Sequence, residues 1–426
     1  MQRYDTYKDS GVQWLGEIPS HWEVKRFKHF GTFSKGKLPK NTNLDGMGFP
    51  IIGASEMNGK EPSVFTEDIN VPHCLPYDIL ILWDGANAGL VANNKKGVVA
   101  STAVKYTCFD DSINNRYLFY LIKNYQRYYK DKVSGTTIPH MNIAFINDTP
   151  LLVPKYAEQT AIANFLDTAT TKIDAAIAQQ QKMIDLLNER KQIIINRAVT
   201  RGLNPNAKMK DSGVEWIGEV PEEWDFVRLK HLTKIISKGT TPSTIGKEIL
   251  SNGNIRFLKA ENIVNNSVCE NPEFFIDETT HAILKRSNLQ ENDLLFVIAG
   301  ATIGKVAILT KELTPANTNQ AISFIRLNNP EMAKYIWYVL QSEITKKYIW
   351  LNAVQSAQPN ISMEDLGNIQ MPIPDVSIQN EIIDYIEAKV SPIENSIYNC
   401  QKQISLLQER KQIVINEVVT GKMKIL

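Results

Sequence analysis

Paired cysteines are missing from this chain. Cys74, Cys108, Cys269 and Cys400 stand far apart, with no CxxC and no histidines nearby at metal-ligand spacing. That excludes a disulfide framework and a structural zinc site, and makes the reducing cytoplasm the expected location. No apolar run is long enough to span a bilayer, and MQRYDTYKDS lacks the pattern of a secretory leader, so no membrane is expected. An excess of one charge is absent as well: 47 Lys and Arg face 46 Asp and Glu, so overall charge points to no particular partner.

Catalytic motifs are equally scarce. GATIGKV at Gly300 is one residue short of a phosphate loop, lacks its terminal Ser or Thr, and runs into strand-forming residues where such a loop needs a helix. There is no HExxH and no GxSxG. Asn204-Pro205, Asn271-Pro272 and Asn329-Pro330 are not followed by the proline and aromatic residue of an adenine methyltransferase motif. No catalytic residue, metal ligand or cofactor is assigned to this chain, and it is not expected to be an enzyme.

What the sequence does contain is itself, twice. With 426 residues it suits two or more domains. KDSGVQWLGEIPSHW from Lys8 returns as KDSGVEWIGEVPEEW from Lys210, and SKGKLP from Ser34 is echoed by SKGTTP from Ser237. LLNERKQIIIN from Leu186 returns as LLQERKQIVIN from Leu406. Between these shared blocks the sequence differs, so the order is shared, variable, shared, and then the same again.

The second shared block carries a helical stripe. Ile162, Leu166, Ile173, Ile177, Ile184, Leu187 and Ile194 are spaced by helical returns, and Ile382, Ile386, Ile393, Ile397, Ile404, Leu407 and Val414 repeat the register. Pro154 and Pro374 mark the starts; Gly202 with Pro205, and Gly421, mark the ends. A helix from Glu158 to Thr200 would run roughly 64 Å, and its cheapest apolar partner is its own copy in a coiled coil. Antiparallel pairing would place the variable blocks at opposite ends with pseudo-twofold symmetry; parallel pairing would crowd them together. The antiparallel form is expected; the alternative is that each helix packs only on its own domain.

The variable blocks read as mixed α/β. YDILILWDGANAGLVA from Tyr77 and NDLLFVIAGATIGKVAIL from Asn292 predict strand, glycine turn, strand. YLFYLIKN from Tyr117 and YIWYVLQS from Tyr335 predict aromatic helices. Two acid-free basic stretches, Val24 to Leu44 and Val227 to Lys247, follow the leaders at matching positions, the electrostatic footprint a phosphate backbone needs.

Together the leader YKDSGVQWLGEIPSHWEVKR, the helical LLNERKQIIINRAVT and the duplication of both resemble the specificity subunit of Type I restriction-modification systems, over essentially the whole chain. The resemblance implies an α+β fold of two mixed α/β target recognition domains, 1–155 and 203–376, with conserved spacer helices, 156–202 and 377–426, in an antiparallel coiled coil. It implies a non-catalytic subunit that reads double-stranded DNA and recruits two modification subunits, which carry S-adenosylmethionine, together with restriction subunits. Because the two domains share little beyond the framing motifs, the implied target is bipartite and asymmetric.

Under that reading Trp14, Trp22, Trp216 and Trp224 are packing anchors, and base readout falls to the variable blocks. Candidate DNA-binding residues are Lys35, Lys37 and Lys40 with Lys238, Thr240 and Thr241. Asn87, Lys95 and Lys96 with Thr302, Asn317 and Asn319 follow the strand turns. Ser134, Thr136 and Thr137 with Gln355, Ser356 and Gln358 precede the helices, and Arg127 and Lys130 lie in a basic aromatic run. The competing expectation is a coiled-coil adaptor with two protein-binding domains, which leaves the paired basic stretches unexplained.

Overall fold

The computed structural model describes residues 2–131, 141–214, 217–353 and 359–425. They form two compact units that do not follow the chain blocks in order: one joins 1–181 to 401–426, and the other is 182–400. Each long helix is therefore divided between units. No helix among the described residues is long and apolar enough to cross a membrane.

Each unit contains two four-stranded sheets with the same strand order. In the first unit one sheet runs Gly31–Lys35, Ala103–Cys108, Ile79–Leu82, Val91–Ala92, and the other Phe65–Thr66, Phe49–Ile52, Gly97–Val99, His73–Cys74. The second unit repeats these as Thr233–Lys238, Ile322–Leu327, Leu294–Val297, Val306–Ile308 and as Phe275–Ile276, Ile255–Leu258, Ala316–Thr318, Asn288–Leu289. The predicted strand, glycine turn, strand units are real hairpins: Ile81 pairs with Val91, and Leu295 with Ala307. Gly85, Gly89, Gly300 and Gly304 all have φ near 90°, a conformation other residues resist. Ile79–Leu82 and Leu294–Val297 are apolar on both faces because both faces are covered.

The aromatic runs form helices Asn115–Asn124 and Ala333–Gln341. Tyr117 and Tyr335, both fully buried, each donate a phenolic hydrogen bond to a carbonyl in the strand that precedes a long helix, Leu152 at 2.8 Å and Pro372 at 2.9 Å. Those strands, Pro150–Val153 and Gln370–Ile373, pair with Glu23–Arg26 and Asp225–Arg228. The leader is thereby tied to the start of each helix.

The long helices span Tyr156–Arg201 and Val376–Val419. In each, a buried glutamine near the start turns its amide back to the preceding proline carbonyl, Gln159 to Pro154 at 2.9 Å and Gln379 to Pro374 at 2.8 Å. Within the first unit, Ile162 and Leu166 share a core with Ile415, Val418 and Val419, while Asp174, further along, pairs with Lys411 at 2.6 Å. Rising residue number on one helix meets falling number on the other, so the pairing is antiparallel. The second unit is built alike: Ile195 and Val199 share a core with Ile382 and Ile386, and Lys191 pairs with Glu394 at 2.5 Å.

None of the fourteen predicted stripe residues is exposed, but their burial is uneven. Ile162, Leu166, Ile382 and Ile386 are fully buried because the globular part of their unit also covers them. Ile173, Ile177, Leu187, Ile397, Ile404 and Leu407 are half-buried, as a two-helix seam alone leaves them. Unanticipated from the sequence is Pro392, inside the second helix. Its ring nitrogen cannot donate to the carbonyl one turn back, which weakens and bends a helix locally.

Each helix ends on a leader. A side chain at Gly202 would press on Trp224, and one at Gly421 on Pro19 and Trp22, so both left-handed glycines also serve close packing. Trp22 and Trp224 are buried anchors, as expected. Trp14 is 38% exposed yet stacks on Tyr128 with ring centres 4.3 Å apart. Trp216 lies outside the described residues.

Candidate nucleic-acid interface

The loops expected to carry recognition are assembled in the same way in both units. In the first, consecutive carbonyls of one strand end hold two loops: Thr102 accepts from the N–H of Trp83 at 2.7 Å, and Ala103 from that of Gly36 at 2.9 Å. In the second, Ala321 accepts from Ile298 at 2.9 Å and Ile322 from Gly239 at 3.3 Å. The Ser-Lys-Gly loop and the glycine turn are thus neighbours although far apart in sequence. A third segment joins them, since Met141 donates to the Trp83 carbonyl at 3.1 Å and Ile361 to that of Ile298 at 3.0 Å.

Glycine is required in the Ser-Lys-Gly loops for space. At Gly36 a Cβ would fall 2.7 Å from the Ala100 carbonyl carbon and closer still to two carbonyl oxygens. At Gly239 it would fall 2.5 Å from the Asn319 carbonyl oxygen and closer to Thr318. These contacts weld the loop of one sheet to the strand end of the other, so the preceding Lys35 and Lys238 project from a fixed backbone. Both lysines are exposed. The Lys35 ammonium lies 5.4 Å from the centre of the Trp83 ring.

Lys37 and Lys40 are exposed on the same loop, and like Lys35 they have no carboxylate ion pair among the described residues. The Lys40 N–H donates to Asp68 at 3.1 Å, and that of Asn70 at 2.9 Å. Those two backbone donors hold the Asp68 carboxyl below its ordinary range, so it stays ionised and anchors the loop. Other members of the basic stretch are spent locally: Lys25 pairs with Glu23 and Lys28 with Asp148, each at 2.8 Å. Thr240 and Thr241 follow Lys238 half-buried, with the Thr240 N–H donating to Thr318 at 3.1 Å.

Asn87 is exposed and Thr302 half-buried on the two glycine turns, beside the lysine loops. Asn319 also belongs there; its side-chain oxygen accepts from the Ala321 N–H at 3.2 Å. Lys95 and Lys96 do not: they follow the second hairpin strand and lie at the opposite end of the hairpin from Asn87. Asn317 requires a correction. It is fully buried, its amide donates to Leu284 O and Ser287 Oγ at 3.2 Å and to Asn288 Oδ1 at 3.0 Å, and its oxygen meets His281. It ties the strand to its neighbours and has nothing left for a base.

Arg127 and Lys130 are exposed on the helix Gln126–Asp131, lining a cleft with the end of the second long helix rather than the lysine loop. Ser134, Thr136, Thr137, Gln355, Ser356 and Gln358 lie outside the described residues. Trp83 and Thr102 were missed by sequence reading. Nothing local in the sequence singles out Trp83, and only the tertiary pairing brings it under Lys35. Among the described residues no group of three His, Cys, Asp or Glu is placed to hold a metal ion.

Two repeated scaffolds with different loops on the same frame define a paired-recognition protein, and comparison with known proteins supplies the family. Residues 19–184 and 221–402 each match the Type I restriction modification DNA specificity domain; the chain belongs to that family and carries its domain twice. It is similar to the type I restriction enzyme MjaVIII specificity subunit of Methanocaldococcus jannaschii, 28% identical over 416 residues, covering 96% of this chain and 94% of that one. It also resembles the EcoBI specificity subunit of Escherichia coli, 24% identical, covering 78% and 72%. A chain solved in work on complex assembly and conformational transition of the type I R-M system shares the fold, with a TM-score of 0.62 and 13% identity, covering 95% of this chain and 99% of that one.

Proposed function

We propose that this chain is the DNA-reading specificity subunit of a Type I restriction-modification complex, in which each recognition domain takes one half of an asymmetric bipartite site. The observation that carries the reading is the duplicated frame with unlike contents. The same carbonyl pair holds the same two loops in both units, yet one presents Lys35, Lys37, Lys40 and Asn87 and the other Lys238, Thr240, Thr241 and Asn319. A common frame positions the backbone on phosphates, and unlike side chains read unlike bases.

The chain supplies recognition and no chemistry. S-adenosylmethionine and the methyl transfer belong to two modification subunits, and cleavage to restriction subunits, all in the cytoplasm. The long helices offer docking surfaces for the modification subunits: Leu186 and Ile193 on the first, and Leu406 and Ile413 on the second, are exposed by 48 to 59% at repeated positions. Apolar residues that face solvent at the same repeated positions of both helices are typical of a covered surface.

A base-resolution methylation map of the source genome, with and without this gene intact, tests the reading. It requires a split adenine-methylated motif that vanishes on deletion; an unchanged map, together with no duplex binding by the purified complex, would rule it out. The helices are also read as the ruler between half-sites. One heptad inserted between Leu166 and Ile184, matched in the second helix, adds about 10 Å, or roughly three base pairs of spacer. An unmoved spacer would remove the ruler.

A further inference from the structure

On the first unit, the helices Asn115–Asn124 and Gln126–Asp131 and the end of the second long helix enclose a cleft of about 740 Å³. Lys123, Arg127, Lys130 and Lys422 line it, against one carboxylate, Glu417. None of these four cations forms an ion pair among the described residues. The neighbouring Lys411 is already engaged with Asp174. Lys123 is largely buried and gives one hydrogen bond to the Val91 carbonyl at 2.7 Å, leaving further ammonium donors. Amides close the floor, with Asn124 donating to Asn416 at 3.2 Å and Gln412 donating to Asn124 at 3.3 Å.

The second unit is an internal control. Its equivalent helix places Gln341 where the first has Lys123, and Thr345 in place of Arg127. Asn196 there accepts from the Glu343 N–H at 3.2 Å, as its repeat Asn416 accepts from Asn124. The helix Glu343–Asn352 carries two lysines, Lys346, which pairs with Glu343 at 2.9 Å, and Lys347, and Arg197 stands where the first unit has Glu417. The repeated fold thus forms without a cation at the positions of Lys123, Arg127 and Lys130, and in the first unit four cations face the single carboxylate of Glu417. Burial first, then Lys411 and Lys130, pull the Lys123 ammonium down to about 8.

We propose that this cleft is a phosphate-binding site, with Arg127 offering its planar pair of donors and Lys123, Lys130 and Lys422 the surrounding charge. The phosphate comes either from the backbone of the bound duplex, a source that rests on the DNA-reading role above, or from free phosphate or a nucleotide, which does not. The cleft is larger than a single ion, and either source fits it.

The test uses the full chain with its modification subunits, as wild type, R127T/K130Q and K422Q, with K346Q as the control on the sister unit. Two quantities are read: the slope of log affinity against log salt for a target duplex, and the rise in Tm on adding inorganic phosphate at constant ionic strength. For a duplex source the slope magnitude falls by about 0.9 for each phosphate that the cleft variants leave unneutralised, and stays the same in K346Q. For a free source the slope is unchanged, and phosphate raises the wild-type Tm but not that of R127T/K130Q. If neither quantity separates the cleft variants from wild type and K346Q, the site does not exist. If wild type binds no duplex at all, the DNA-reading role fails, and the Tm comparison alone decides the site.

Discussion

Substituting Gly36 or Gly239 by alanine tests the shared frame most directly. Neither glycine has a positive φ, so the new residue meets no intrinsic backbone strain and the cost is one of space. Carbon atoms in contact ordinarily stand about 3.5–4.0 Å apart, whereas the added methyl would lie 2.7 Å from the Ala100 carbonyl carbon at Gly36 and nearer to carbonyl oxygens at both sites. Those neighbours are backbone, so no rotamer change relieves the clash, and the loop must retreat by roughly 1 Å. Retreat strains the Gly36 bond to Ala103 in one unit, and the Gly239 and Thr240 bonds to Ile322 and Thr318 in the other. One or two hydrogen bonds at about 1 kcal/mol each and overpacking of about 1–3 kcal/mol give about 2–5 kcal/mol of lost stability. With a urea dependence of roughly 2 kcal/mol per molar, the midpoint of the affected unit falls by about 1–2.5 M. In methylation assays on duplexes with one half-site altered, G36A should relax discrimination at one half and G239A at the other. A stability change within about 0.5 kcal/mol of wild type, or both variants acting on the same half-site, would refute the reasoning.

Three further outcomes follow from the buried groups. Asp293 is almost fully buried and takes two hydrogen bonds from Arg326, at 2.7 and 2.8 Å; D293A strands that guanidinium and should cost about 3–5 kcal/mol in urea unfolding, with a loss under 1 kcal/mol arguing against a structural pair. Burial, then the nearby Asp78 carboxylate, push the Cys74 thiol up to about 11, so a thiol reagent at pH 8 should leave it unlabelled until the chain unfolds; rapid native labelling at Cys74 contradicts that. The depressed ammonium of Lys123 faces Lys411, Lys130, Arg127, Lys422 and Glu417. Its charge penalises the folded state fully below about 8, and the penalty is lifted as pH rises toward the ordinary lysine value near 10.5. The Tm of wild type relative to K123Q should therefore rise across that window; a flat difference would mean Lys123 titrates normally.

Much of the architecture was legible because it was periodic or repeated. The stripe from Ile162 to Ile194 and its copy predicted both long helices to within two residues at the first, and the glycine pairs at Gly85 and Gly300 predicted the hairpins. What stayed hidden was non-local. The second sheet of each unit uses strands of two to four residues, such as His73–Cys74 and Phe65–Thr66, too short to carry an alternating pattern. Asn317 looked like a surface reader because asparagine after a turn usually is one; its burial depends on His281 and Ser287, which reach it only through the fold. Lys95 followed the same turn as Asn87 in sequence, but the hairpin carried it to the other end. Pro392 was legible and went unread, since the apolar register continued through it.

The return of residues 401–425 to the first unit sets a timetable for synthesis. The core around Trp22, Tyr117 and Leu166 also needs Ile415, Val418, Val419 and Met423, and none of these exists until residues 182–400 have been made. At about 5–20 residues per second that is a delay of roughly 10–45 s, during which the apolar side of the first unit waits without its closing helix. The second unit, whose residues are consecutive, has no such wait and can complete its core as it leaves the ribosome. The member of the pair that is begun first is finished last, and chaperone contact during synthesis should concentrate on it.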